Sequence, residues 1–403
     1  MKVLHILYQS LPQISGSSIR SRDILMSQKE IGIEVVAITS PFQARLSNNG
    51  EDWIDGIRYL RTSKRQENAI SDLKSRFFAR LWKFFSIITF TQKLYITVKK
   101  ENPDILHAHA MFFCGLPAIF VGKITKTPVV YEFRSLWMFQ KANKRKRRID
   151  KIIENLLLKI ELITLQNANH AVLLNENLKE FLADKTKTSV KSTVINNAIN
   201  TTLIDKLKRN QQSYRQKLVF GYIGTITSYE GIEFLVETFQ ELHDEGFSNE
   251  LLLFGKGVNV ESVKSKILQR SNINTIHFLG PVAPEDINSA FDQVDVIINP
   301  RLSTPLTNSV TPLKPLEAMA FEKLFIGSDV GGIKELITHN NGFLFKSEDK
   351  EDLKKVIKMT IGLSLKERRQ HIESAFIFVK ANKSWLVNAE NYSQIYKSLI
   401  KES

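Results

Sequence analysis

Between Val294 and Gly332 the chain runs apolar, then polar and proline-rich, then helical, then apolar again, and this order constrains the fold more than any other stretch. Val294 to Asn299 is a short β-rich run of the kind that fills a buried parallel strand. Residues 300–312 are polar and proline-rich and predict a loop without regular structure. Thr311 and Pro312 predict a helix start, with the threonine as N-cap and the proline in the first turn. Lys314 and Glu317, three residues apart, share one face of that helix. Parallel-sheet folds bind ligands beyond the carboxyl ends of their strands, which is where this helix points its N-terminus. A helix N-terminus with a lysine suits phosphate, and a glutamate one turn on accepts hydrogen bonds from sugar hydroxyls. Taken alone, the same two charges also fit a bland role as cap and dipole partner.

Pro-Leu-Lys-Pro-Leu-Glu-Ala-Met-Ala at 312–320, followed by Ser-Asp-Val-Gly-Gly-Ile-Lys-Glu-Leu-Ile at 328–337, resembles the donor-nucleotide motif of the family-4 retaining glycosyltransferases. The resemblance implies an α/β chain of GT-B fold: two Rossmann-like domains with parallel sheets facing across a cleft, and a C-terminal helix crossing back. Residues 1–200 would be the N-terminal, acceptor-binding domain, completed by the crossing helix in 384–403. Residues 201–383 would be the C-terminal, nucleotide-sugar-binding domain. The polar stretch 198–216 suits the boundary.

A length of 403 residues predicts two domains or more. The 43% hydrophobic and 24% charged residues are those of an ordinary globular chain. A formal net charge of +14 calls for an acidic partner: nucleotide phosphates, an anionic membrane or nucleic acid. One cysteine, Cys114, permits no internal disulfide and no cysteine metal cluster, which fits a reducing compartment. The first apolar run is too short for a signal peptide, and no run reaches the length of a membrane-spanning helix. A cytoplasmic protein is expected, peripheral at the inner face of the plasma membrane.

In chain order, residues 3–8, Ile19–Lys29 and Ile33–Thr39 read as strand, helix and strand. Gly16 lies in a loop resembling the family's N-terminal glycine loop, which implies close backbone approach to the donor. Residues 73–100 combine aromatic and basic residues at helical spacing, and 141–151 holds seven cations in eleven residues. Both predict an anionic membrane surface as partner; a core helix and a solvated charge run are the bland alternatives. No stacking aromatics, zinc finger or helix-turn-helix accompany the basic run, so nucleic acid is not expected. Strand Pro103–His107 leads to His107-Ala-His109, whose side chains share a face. No third ligand lies at metal spacing, so no metal is expected. The resemblance puts His109 near the transferred sugar. Glu132-Phe-Arg134-Ser-Leu-Trp137 resembles a Glu-x-Arg-x-x-Trp subgroup of bacterial surface-polysaccharide pathways. Arg134 would contact a phosphate, and Glu132 would hold Arg134 or act as a base.

In the second half, a strand over Leu218–Gly224 is followed by Thr225 and Glu230-Gly231, where the family usually carries Arg and Lys on the donor diphosphate. Lys314 and Arg301 are the available substitutes. The resemblance assigns further donor contacts to Gly224, Thr225, Gly255, Val282 and Leu316, and the ribose to Glu317. Ser309 stands where the family has a sugar-contacting Glu, eight residues before Glu317. Trp385 to Ile400 has apolar spacing for the crossing helix. The resemblance therefore implies a hexosyl-transferring, retaining enzyme that uses a nucleotide-sugar, a UDP-sugar first, as co-substrate without cofactor or metal. The expected acceptor is a saccharide or a polyprenyl-diphosphate-linked oligosaccharide. A sugar-nucleotide epimerase and a non-catalytic membrane-associated scaffold are the alternatives.

Overall fold

Near-continuous apolar runs such as Val3–Leu7 and Val129–Phe133 cannot expose either face to water, so each strand must be covered on both sides. The computed structural model describes residues 1–13, 15–43, 50–63, 76–139, 148–186, 190–200, 215, 217–270 and 273–402, with backbone alone at 76–84 and 284. These strands form two sheets. The first is built from β1 (Lys2–Leu7), β2 (Glu34–Thr39), β3 (Glu51–Ile54), β4 (Ile57–Arg61), β5 (Ile105–His109), β6 (Val129–Phe133), β7 (His170–Leu173) and β8 (Ser192–Val194). Its order is β3-β4-β2-β1-β5-β6-β7-β8, parallel except for the β3–β4 hairpin. The second holds β9 (Phe220–Ile223), β10 (Leu251–Phe254), β11 (Ile276–Gly280), β12 (Val296–Asn299), β13 (Leu324–Ser328) and β14 (Phe343–Phe345). Its order is β11-β10-β9-β12-β13-β14, all parallel. In each sheet the order reverses at the first strand, so the loops leaving β1 and β9 carry the ligand positions of this fold class.

Side-chain alternation divides each sheet between two cores. On the first sheet Leu4, Ile6, Leu106, Tyr131 and Phe133 pack on one face. Val3, Leu7, Ile105 and Val130 pack on the other, together with Trp385, Tyr392 and Tyr396 of the terminal helix Trp385–Glu402. That helix lies against helix Gly16–Glu30, so the chain ends by crossing back to the first sheet, as expected. At the crossing, Ile199 and Ser384 form a short parallel bridge.

Three local expectations need correction. Residues 300–312 are not wholly irregular: Pro305–Asn308 makes one helical turn, closed by a reciprocal Thr304/Thr307 capping box. Thr311 is also not the next N-cap. Helix Lys314–Ala320 starts three residues later, with Leu313 at the cap position and Pro315 in the first turn. Thr311 is committed elsewhere: its carbonyl accepts Asn197 Nδ2 and its hydroxyl lies 3.4 Å from Asn175 Nδ2, both in the first half of the chain. Strand β5 also runs to His109 rather than stopping at His107, so both histidines are strand residues.

Candidate functional site

At the carboxyl edge of the second sheet, Gly224 ends β9 with φ +151°. A Cβ there would stand 2.3 Å from Lys314 Cε, so the glycine is what lets Lys314 lie across the strand end. Gly255 does the same for backbone, since its Cβ would meet the Gly224 carbonyl oxygen at 1.9 Å. Lys314 does not stand alone. Its Nζ is 3.1 Å from Glu230 Oε2, while Arg301 Nε and Nη2 each lie 3.2 Å from Glu230 Oε1. Glu230 is buried, yet the two cations hold its carboxyl below the usual range against the desolvation that raises it. Tyr222 adds its hydroxyl 3.3 Å from Glu230 Oε2. Glu317, one turn beyond Lys314, is half-buried, and its carboxyl makes no side-chain hydrogen bond among the described residues. Burial raises its pKa and Lys314 opposes that.

The other positions assigned to the donor are less alike. Thr225 is exposed beside Gly224, and Val282 is half-buried at the edge of the same core. Leu316 is fully buried in a core with Leu252, Ile297 and Met319, against which Val282 packs, so its side chain is structural. Ser309 is buried and committed: it donates to the Leu306 carbonyl at 2.8 Å and accepts the Leu136 N–H at 3.2 Å from the first domain. Asn299 ends β12 with both amide atoms buried and without a protein partner among the described residues. The sequence reading missed it because a lone asparagine in an apolar run carries no motif. A hollow of about 330 Å3 beside this region is lined by Glu233, Glu237 and Glu348, whose charges disfavour a phosphate there.

The first sheet presents a second cluster. His5 pairs in register with His107, and Glu132 with His109, so these side chains project from one face into the space under the terminal helix. Arg134 anchors the cluster. It donates from Nε to Glu132 at 2.7 Å, from Nη1 to Ser17 and Ser21, and from Nη2 to His109 Nδ1 at 2.6 Å. A guanidinium has no acceptor, so His109 accepts at Nδ1 and carries its proton on Nε2. That proton points at His5 Nδ1, 2.8 Å away, which leaves His5 to donate from Nε2 to Gln28 Oε1 at 3.1 Å. Gln28 donates to the Tyr396 hydroxyl at 2.9 Å, and Tyr396 donates to His107 Nδ1 at 2.6 Å. One fixed donor therefore orients the whole chain and keeps all three imidazoles neutral. Burial is the leading cause that pushes all three below the ordinary imidazole range. Glu132 closes the cluster, accepting from Arg20, Arg134 and Tyr392 at 3.0, 2.7 and 2.6 Å. Against burial, which raises it, the two arginines hold its carboxyl well below the usual carboxylate range, which makes it a weak base.

His109, Arg134 and Glu132 are thus gathered, but into a buried lattice rather than an open catalytic surface. Arg20, His5, Gln28, Tyr392 and Tyr396 complete it. Periodicity places His5 on a strand but cannot show that β5 lies beside β1. Gly16 opens helix Gly16–Glu30, and a Cβ there would meet open space, so no packing contact demands a glycine.

The third histidine that the sequence spacing failed to supply does come in, from β1: the ligand atoms of His5, His107 and His109 lie within 4.8 Å of one another. The set does not fit a divalent cation. Its lone pair on His109 Nδ1 is taken by Arg134, His5 and His109 share a proton, and two guanidiniums flank it. A pH dependence follows. Below about pH 6.5 the unfolded chain takes up protons that the buried cluster refuses, so stability present above that pH is lost as the pH falls. Each imidazole contributes a slope of up to about 1.4 kcal/mol per pH unit. His170, lowered as well, adds to it, whereas Asp23, pushed up to about 6 by burial, opposes it. In denaturant titrations between pH 5 and 7, His5→Gln should show a slope shallower than wild type by about one proton. An unchanged slope would contradict a neutral His5.

Two parallel-sheet α/β domains with ligand-bearing edges, one carrying a Lys–Glu–Arg cluster beside Glu317, suit a phosphate-bearing ligand. A model for Glycosyltransferase Family 4 matches residues 15–203, and one for Glycosyl transferases group 1 matches residues 204–376. The chain belongs to this family and is a glycosyltransferase. It is 23% identical over 342 residues to the capsular polysaccharide biosynthesis glycosyltransferase CapM of Staphylococcus aureus, covering 79% of this chain and 83% of that one. An uncharacterized glycosyltransferase of Methanocaldococcus jannaschii is 26% identical over 118 residues, 29% of each chain. Among solved structures, sucrose-phosphate synthase from Thermosynechococcus elongatus superposes with a TM-score of 0.72 at 18% identity, over 100% of both chains. Anabaena HepE in complex with UDP gives 0.69 at 14%, over 99% of this chain and 100% of that one. The fold is GT-B.

Proposed function

We propose that the protein is a retaining glycosyltransferase that moves a sugar from a UDP-sugar to a lipid-linked or saccharide acceptor in bacterial surface-polysaccharide synthesis. The observation that carries this reading is Lys314 and Arg301 at the β9/β12 switch point with Glu317, without a side-chain partner among the described residues, one turn behind. The cations serve the diphosphate and the glutamate the ribose. HepE, of the same fold, binds UDP and UDP-glucose, and CapM acts in capsular polysaccharide biosynthesis. Transfer proceeds from the front face, with the leaving diphosphate held electrostatically and taking the acceptor's proton. No protein nucleophile is used, since Glu132 and Glu230 are each locked between cations. No metal is needed for this step.

The membrane partner rests on the first domain. Phe85 and Ile96 on helix Arg76–Glu101, Phe120 on helix Phe112–Thr125, and Ile152 and Leu156 on helix Arg148–Asn167 are 56–65% exposed. These helices neighbour one another, and exposed apolar area of this kind marks an interaction surface. The aromatic residues 77–84 and the basic run 141–147 lie outside the residues whose side chains are described. Among the described residues no helix is long and apolar enough to cross a membrane. The test is transfer from a panel of UDP-sugars to a polyprenyl-diphosphate-linked saccharide in vesicles. Turnover should appear with one donor and be faster in anionic than in neutral vesicles. Absence of turnover with every donor contradicts the transferase reading, and equal rates in both vesicles contradict the membrane surface.

A further inference from the structure

Glu230, on the loop that leaves β9, is buried between Lys314 and Arg301, the two cations the donor reading relies on. Its two oxygens are divided between them: Oε1 faces Arg301 and Oε2 faces Lys314. Gly231 follows in left-handed backbone with φ +73°, and a Cβ there would meet the Pro300 carbonyl oxygen at 2.0 Å. The loop is thereby clamped to the strand end that carries Arg301, and Glu230 has no open route away from the pair. Two cations and one carboxylate leave one net positive charge in this cluster, and Glu317, one turn beyond Lys314, lowers it further, so the strand edge carries at most one.

We infer that Glu230 is a resident counter-ion that the donor's diphosphate must share. It holds Lys314 and Arg301 in place without ligand and lowers the affinity for the departing nucleoside diphosphate, so that product leaves. The inference rests on the donor reading above and adds a specificity-determining residue to it. Lys314 is the partner a ligand reaches first, because its side chain is partly exposed whereas Arg301 is nearly covered. A like charge in a partly dry site opposes an anionic ligand more strongly than it does in water.

The experiment is calorimetric titration of UDP, with UMP beside it, into wild type, Glu230→Gln and Glu230→Gln/Lys314→Met. Glutamine keeps the size and can still accept from one of the two cations, while its amide nitrogen, a donor, faces the other. Glu230→Gln should bind UDP about tenfold or more tightly than wild type, and the gain should vanish in the double variant. Unchanged or weaker UDP binding by folded Glu230→Gln, checked by thermal unfolding, overturns the counter-ion and leaves the donor site standing. A second arm needs no substitution: one net charge should let wild type hold UMP and UDP within about tenfold of each other. A larger preference for UDP overturns the inference even where Glu230→Gln does not fold. If no protein binds any nucleotide, the donor reading falls and the counter-ion falls with it.

Discussion

Replacing Glu132 by alanine should destabilise the protein by about 3–5 kcal/mol, the range for removing one partner of a buried ion pair. The carboxylate is fully buried and accepts from Arg20, Arg134 and Tyr392 at once. Without it two guanidiniums face each other in a dry interior, and neither can lose its charge. Arg20 keeps some company: it also donates to Asn197 Oδ1 at 2.7 Å and to the Ile195 carbonyl at 3.0 Å, and it lies over the Trp385 ring. Arg134 keeps Ser17 and Ser21. These contacts hold the loss within that range and prevent outright unfolding. Because Tyr392 belongs to the terminal helix, the variant should also loosen the grip of that helix on the first sheet. Urea denaturation measures the change; a loss under 1 kcal/mol would show that the cluster is solvated and that the closed lattice described above is wrong.

Glu317→Ala should leave the fold intact and weaken nucleotide binding by about a hundredfold. Its carboxylate has no hydrogen-bond partner to lose among the described residues, and it sits half-buried in the first turn of a short helix. A carboxylate accepting two ribose hydroxyls contributes roughly 1.5–3 kcal/mol per bond to a charged group, of which water recovers part in the alanine variant. About 2.7 kcal/mol corresponds to a hundredfold. Of these two glutamates, Glu132 is spent on structure and Glu317 has no side-chain partner among the described residues, so one variant moves stability and the other moves affinity.

Much of the fold was legible because parallel sheets need apolar runs, and those runs are plain at Val3–Leu7, Val129–Val130 and Leu251–Phe254. The crossing helix was legible from its apolar spacing together with the family resemblance. Lys314 and Glu317 were legible because a strand–loop–helix pattern puts them at one edge, whereas Arg301 entered only through the family resemblance, as a substitute for the cations missing at Thr225 and Glu230. What pattern cannot convey is which charges neutralise one another. Glu230 and Lys314 are 84 residues apart, and nothing in either segment shows that they meet. The His5–His109 contact likewise depends on β1 lying beside β5, a fact of topology. His109 looked like a cleft residue because it ends a strand, yet it is buried and both its ring nitrogens are taken within the protein. Thr311 failed as an N-cap because its polar atoms serve the other domain, which local sequence cannot register.

The central claim is that the second sheet's edge binds a nucleoside diphosphate through Lys314, Arg301 and Glu317. A thermal-unfolding panel with UDP, GDP and ADP on wild type and Glu317→Ala tests it most directly. A ligand at a hundred times its Kd stabilises the native state by about 2.7 kcal/mol, a rise in Tm that such a scan resolves. The account predicts stabilisation of wild type by UDP above the others, and loss of most of that shift in Glu317→Ala. No shift with any nucleotide, or an equal shift in both proteins, would contradict it.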